Sequence, residues 1–208
     1  MSFSIYQLKP QFQRLLQPVM ATLARRHVTP NQITVAAMLL SLAYGALLAW
    51  FPGDARLWFG VPVFMFLRMA MNAVDGMLAN FTNRKTALGA LLNEICDQVS
   101  DAALVLPFAL ARGINAQLLV ATAMMALLVE FAGVAALLVG SPRRFDGPMG
   151  KSDRAVAFGL LAVLIGFGTQ PIVLNGLLGA ILLLSGWALF NRVRRALLNR
   201  SASSPPIP

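Results

Sequence analysis

Two apolar segments of this 208-residue chain carry acids and amides at helical spacing. Asn72, Asp75 and Ala79 are separated by three and four residues, which puts them on one helix face with Arg68 above them. Further on, Gly89, Asn93, Asp97 and Asp101 follow at intervals of four on one stripe. An ionisable group in hydrocarbon is costly unless it is paired, metal-bound or wetted, so an acidic cluster there marks a functional site. Two helices joined by a short loop would bring these oxygens together at matching depth. Such a set suits a hard divalent cation such as Mg²⁺, whose shell phosphates commonly complete.

The neighbouring residues agree with that chemistry. Gly76, Ala79 and Gly89 would let backbones or a flat ligand approach closely, though tight helix packing uses the same residues. Arg84, Lys85, Lys151 and Arg154 stand at the same mouth, where they would hold phosphate oxygens or anchor lipid headgroups.

The elements that position this cluster are membrane helices. The chain is 58% hydrophobic and 12% charged, with mean hydropathy +0.69, which excludes an ordinary soluble domain. Six spans are expected: 33–51, 57–78, 89–111, 116–140, 155–168 and 172–190. The fifth is short. Residues 3–26 read as an interfacial amphipathic segment interrupted by Pro10 and Pro18. Thr29, Pro30 and Gln32 then spell a capped helix start. The expected fold is an all-α, polytopic membrane helical bundle forming one domain over 1–200, with a disordered tail at 201–208.

Net charge is +9, and its placement is a topology signal. Lys9, Arg14, Arg25, Arg26, Arg84, Lys85, Arg143, Arg144, Lys151, Arg154, Arg192, Arg194, Arg195 and Arg200 flank one side. Arg56 and Arg112 alone flank the other. Both termini and the site are therefore expected in the cytoplasm, the basic loops facing anionic lipid and not nucleic acid. Cys96 is the single cysteine, so no disulfide or thiol metal site is expected, and His27 falls at an interfacial helix end. The first 30 residues lack the continuous apolar core of a signal peptide.

Arg68, Asp101 and Glu130 each fall roughly 15–18 Å from the cytoplasmic end of their own span. They are expected to form a buried charge layer, acting either as an ion network that staples three spans or as a wall of an acceptor pocket. Side chains more than ~8 Å apart would exclude both versions.

At these residues the sequence resembles the CDP-alcohol phosphatidyltransferase family, whose signature is D-x2-D-G-x2-A-R-x8-G-x3-D-x3-D. Asp75, Gly76, Ala79, Gly89 and Asp97 match it with every gap intact. The run Val28–Thr34 and the pair Gly150-Lys151 resemble the family's entry segment and its cytoplasmic loop. Asn72, Asn80 and Asn93 depart, standing where the family has aspartate, arginine and aspartate.

The resemblance implies transfer of a phosphatidyl group from a CDP-linked lipid, such as CDP-diacylglycerol, to an alcohol acceptor, with release of CMP in phospholipid biosynthesis. It implies Mg²⁺ or Mn²⁺ held at Asn72, Asp75, Asn93 and Asp97, Asp97 as catalytic base, and a homodimer in a bacterial cytoplasmic membrane. With two amides the quartet carries −2 where four aspartates would carry −4. One tightly held metal is thus expected, or a second balanced by Glu94 or Asp101. Two rival readings are a family member that binds nucleotide or lipid without turnover, favoured by the three asparagines, and a transporter. The transporter reading predicts polar residues toward the outer face, and Leu57–Leu67 shows none beyond the apolar run.

Overall fold

Thr29 opens the bundle with a reciprocal cap. The Gln32 backbone N–H donates to Thr29 Oγ1 (3.3 Å), Thr29 N–H donates to Gln32 Oε1 (2.9 Å), and Pro30 takes the first helical position. The helix so started is α2 (Pro30–Trp50). In the computed structural model, which describes residues 9–199, it follows α1 (Lys9–Arg25) and precedes α3 (Ala55–Phe81), α4 (Ala87–Val105), α5 (Ala116–Ala135), α6 (Lys151–Gly166) and α7 (Pro171–Leu198). The fold is all-α. Phe3 and Tyr6 of the N-terminal segment, Arg200 and the tail 201–208 lie outside the described residues.

The six apolar runs correspond to α2–α7. Pro30–Trp50, Ala55–Phe81, Ala116–Val139 and Pro171–Leu198 are long and apolar enough to cross a membrane. The chain is an integral membrane protein. The remaining two differ for visible reasons: α4 carries Glu94, Asp97 and Asp101, and α6 has only 16 residues.

Several boundaries depart from the sequence expectation. The third run leaves α-helix at Val105 for a 3₁₀ turn, Leu106–Leu110, with Pro107 near its start; proline has no N–H for the α-helical ladder. The fourth ends in a 3₁₀ turn closed by Gly140 at φ 74, a left-handed conformation that glycine adopts freely. The sixth does not stop at Phe190 but continues to Leu198. α1 runs unbroken through Pro18, which was expected to interrupt it, and turns at His27 (φ 55). Pro10 falls in its first turn, where a missing N–H costs little.

Packing separates an apolar end from a polar one. α2 packs on α4, α3 on α6 and α5 on α7. Where α2 meets α4, a Cβ on Gly45 would lie 2.8 Å from the Ala103 carbonyl carbon, so only glycine permits that approach. Leu48, Trp58, Leu104, Phe108, Phe158 and Leu178 form the main core. Within it Trp58, Phe108 and Phe158 stack edge to face at 4.9 and 5.5 Å. Leu48 ends α2, Trp58 starts α3, and Leu104 and Phe108 lie at and just past the end of α4, so the core fills the end of the bundle away from the α3–α4 loop. At the loop end, Leu16, Met20 and Leu23 of α1 pack against Ile33, Val74 and Leu78. That contact braces the α2 and α3 turns from which the polar residues project.

Candidate functional site

The loop end of α3 and α4 carries one cleft, and a second runs from Lys151 inward toward the core. Thr86 caps α4 by accepting from Gly89 N–H (3.0 Å). A Cβ on Gly89 would lie 3.0 Å from Asn31 Oδ1, so glycine admits the start of α2 there. The first cleft, about 250 Å³, is lined by Asp75, Gly76, Ala79, Arg84, Lys85 and Asn93, among others. A Cβ on Gly76 would meet nothing within 4 Å. Gly76 therefore faces open space in the cleft instead of a packed helix, as close approach by a ligand requires. Asp75 Oδ2 accepts from the Thr34 hydroxyl at 2.7 Å, which aims the carboxylate at the cleft wall.

The second cleft, about 140 Å³, opens between α3, α4, α5 and α6 and is lined by Arg68, Gln98, Asp101, Lys151 and Arg154 together with apolar side chains. Asp97 lies on α4 one turn from Asn93 of the first cleft and one turn from Asp101 of the second. Asn72 Nδ2 donates to Asp97 Oδ1 at 2.7 Å, and Arg68 NH2 reaches the same oxygen at 3.4 Å and the Asp97 carbonyl at 3.0 Å. Lys151 Nζ pairs with Asp97 Oδ2. Asn72, Asp75, Asn93 and Asp97 thus share the loop end of α3 and α4, but Asp97 alone among them is tied to cations.

Arg68, Asp101 and Glu130 belong to a continuous ion network. Arg68 NH1 pairs with Asp101 Oδ1 at 2.5 Å. Arg154 NH2 bridges Asp101 Oδ2 (3.4 Å) and Glu130 Oε1 (3.0 Å), and Arg192 NH1 approaches Glu130 Oε2 at 3.4 Å while donating to the Val129 carbonyl at 2.7 Å. Arg143 holds Glu94 through both guanidinium nitrogens and lies 3.9 Å from Glu130. Arg192 is 1% exposed and Glu130 5% exposed. The network therefore ties α3, α4, α5, α6, α7 and the loop before α6.

Arg154 and Arg192 are placed differently from the sequence reading, and other residues gain partners it did not name. Arg154 is not at the mouth with Arg84 and Lys85 but 5% exposed inside the network. Arg192 does not flank the membrane; the longer α7 carries it into the interior. Glu94 and Asp101, each considered as balance for a second metal, are held by Arg143 and by Arg68 with Arg154. Asn31 and Thr34 line the Asp75 cleft, although at the sequence level they read only as part of a helix start.

Among the described residues no three His, Cys, Asp or Glu side chains converge as a metal group. The Asp75 carboxylate and the Asn93 carbonyl oxygen line one cleft with Arg84 and Lys85 beside them. That donor set fits a hard divalent cation drawing much of its shell from phosphate oxygens.

Comparison with known proteins shows the family and the fold. The family model for CDP-alcohol phosphatidyltransferase matches residues 27–190. The inner membrane protein YnbA of Escherichia coli K12 is 44% identical over 198 residues, covering 94% of this chain and 97% of that protein. A phosphatidylinositol phosphate synthase of Corynebacterium glutamicum is 32% identical over 92 residues, 44% of this chain and 40% of that one. The fold also matches the crystal structure of Mycobacterium tuberculosis phosphatidylinositol phosphate synthase with CDP-DAG bound. That match has TM-score 0.78 and 18% identity, covering 94% of this chain and all of the other. A structure of the same enzyme in complex with manganese and citrate aligns with TM-score 0.76 over 91% of this chain and 92% of that one.

Proposed function

This chain belongs to the CDP-alcohol phosphatidyltransferase family, and from that premise we propose how its residues divide the reaction. The enzyme transfers a phosphatidyl group from a CDP-linked lipid to an alcohol in phospholipid synthesis. We assign CDP-diacylglycerol as the donor, entering the Asp75 cleft with its acyl chains still in the membrane, since removing them from lipid is costly. Arg84 and Lys85 there hold the diphosphate oxygens and Gly76 gives the nucleotide close access. Asp75 and Asn93 would hold a divalent cation, Mg²⁺ or Mn²⁺, which when bound offsets phosphate charge as CMP departs.

The acceptor alcohol approaches from the second cleft, where Arg68 and Lys151 orient it. Its oxygen bonds to the phosphorus that carries the lipid, the bond from that phosphorus to the CMP oxygen breaks, and the hydroxyl proton passes to Asp97. Arg68, Asn72 and Lys151 hold the Asp97 carboxylate in position until then.

The observation that carries this reading is that Asp97, held by Asn72, Arg68 and Lys151, lies on α4 one turn from Asn93 of the basic first cleft and one turn from Asp101 of the second. The expected result is CMP release from purified protein given CDP-diacylglycerol, Mg²⁺ or Mn²⁺ and one member of a panel of glycerol phosphate, serine and other alcohols. Folded protein that releases no CMP with any acceptor would leave nucleotide or lipid binding without turnover as the reading.

We place the first cleft and the Lys151 end of the second on the cytoplasmic side of a bacterial inner membrane, with α2–α7 all crossing. Arg84, Lys85, Arg143, Arg144, Lys151, Arg194 and Arg195 gather at that end, against Arg56 and Arg112 at the other. In Cys96→Ser protein, a cysteine replacing Arg112 should react with a membrane-impermeant maleimide on intact cells and one replacing Lys85 should not. The reverse pattern would invert the topology.

A further inference from the structure

We propose that this chain uses a single divalent cation, on the Asp75 side, and that the Lys151 ammonium takes the place of a second cation at Asp97. The proposal rests on the phosphatidyl-transfer reading and assigns its electrostatics. Both Asp97 carboxylate oxygens are engaged by protein groups: Oδ1 by Asn72 Nδ2 at 2.7 Å and by Arg68 NH2 at 3.4 Å, Oδ2 by Lys151 Nζ. A carboxylate at position 72 has no proton to give Asp97. It would face Asp97 as a like charge, and a cation between them would be needed. The amide of Asn72 removes that need, because it donates where a carboxylate repels.

Asp75 is in a different state. It accepts from the Thr34 hydroxyl and is in no ion pair among the described residues. Its cleft also holds the Asn93 amide. A second ion could not recruit Glu94 or Asp101 without breaking their bonds to Arg143 and to Arg68 with Arg154. Lys151 opens α6 and lines the second cleft, so its ammonium stands on the acceptor side of Asp97. A lysine there is a compact charge with three donors that can hold Asp97 and a phosphoryl oxygen together.

Bound Mn²⁺, counted by electron paramagnetic resonance on purified protein supplied with CDP-diacylglycerol and no acceptor alcohol, reads this without turnover. Wild type and Asp97→Asn should each bind one tight ion, and Asp75→Asn none. The combination Asn72→Asp, Asn93→Asp and Lys151→Ala should bind two. Lys151→Gln should keep one ion yet lose about 100-fold or more in CMP release, in line with losing one positioned charge donor. Lys151→Arg should recover most of that loss, which a merely structural role would not require. Two tight ions in wild type, or loss of the ion in Asp97→Asn with its fold intact by circular dichroism, would overturn the proposal. An inactive wild type that binds one ion by Asp75 would overturn the transfer reading and leave this one standing.

Discussion

Glu130→Ala is expected to lower stability by about 3–5 kcal/mol, the cost of removing one partner from a buried ion pair. Glu130 is 5% exposed, and its two oxygens face Arg154 at 3.0 Å and Arg192 at 3.4 Å. Neither cation can turn to water. Arg154 would keep the Met149 carbonyl at 3.0 Å and a 3.4 Å approach to Asp101, and Arg192 would keep only the Val129 carbonyl at 2.7 Å. The double change Glu130→Gln with Arg192→Met should recover part of the loss, because the uncompensated charge leaves with its partner. Thermal unfolding of the purified protein in detergent provides the measurement. A Glu130→Ala midpoint equivalent to less than about 1 kcal/mol would mean that water already reaches this layer.

That network shows where sequence reasoning reaches its limit. An acid inside an apolar run announced that Glu130 must have a partner, and matching depth pointed to Arg68, whereas the cations that meet it are Arg154 and Arg192. Arg192 follows the last apolar residues of its run and Arg154 follows a loop, positions where arginine commonly anchors headgroups. Only the packing of α7 on α5, with α7 extended to Leu198, turns Arg192 inward to Glu130. Thr34 escaped for a similar reason. Its hydroxyl bonds Asp75 across 41 residues of sequence, and a threonine one turn into a helix gives no sign of so distant a partner.

Other features were legible because they are local. The cap at Thr29 depends on four consecutive residues. The register of Asn72 and Asp75 against Asn93 and Asp97 depends only on helical periodicity and a short loop. Gly76 was ambiguous between packing and ligand access until its missing Cβ was seen to face open space. Asn72 was legible as a loss of charge but not as a donor, since which atom of the amide meets Asp97 is a three-dimensional fact.

The largest effect on activity is expected from Asp97→Asn, a fall in CMP release of about 100- to 10,000-fold, the range for loss of a positioned general base. Stability should change little. Lys151 is one-third exposed and can return to water. Arg68 keeps Asp101 at 2.5 Å and the Asp97 backbone carbonyl at 3.0 Å. This separates Asp97 from Glu130, whose cations have no such outlet. Asp75→Asn should also abolish release, by a different route: Asp75 is the acid lining the cleft proposed for the nucleotide, so CDP-diacylglycerol binding in the presence of Mg²⁺ should weaken with it. Equilibrium binding of the CDP-lipid should therefore be near wild type in Asp97→Asn and much weaker in Asp75→Asn. Weakened binding in Asp97→Asn would shift that residue from proton transfer to substrate retention. Near-normal release from Asp97→Asn would require another proton acceptor beside the second cleft, where Asp101, already paired with Arg68 and Arg154, is the nearest carboxylate lining it.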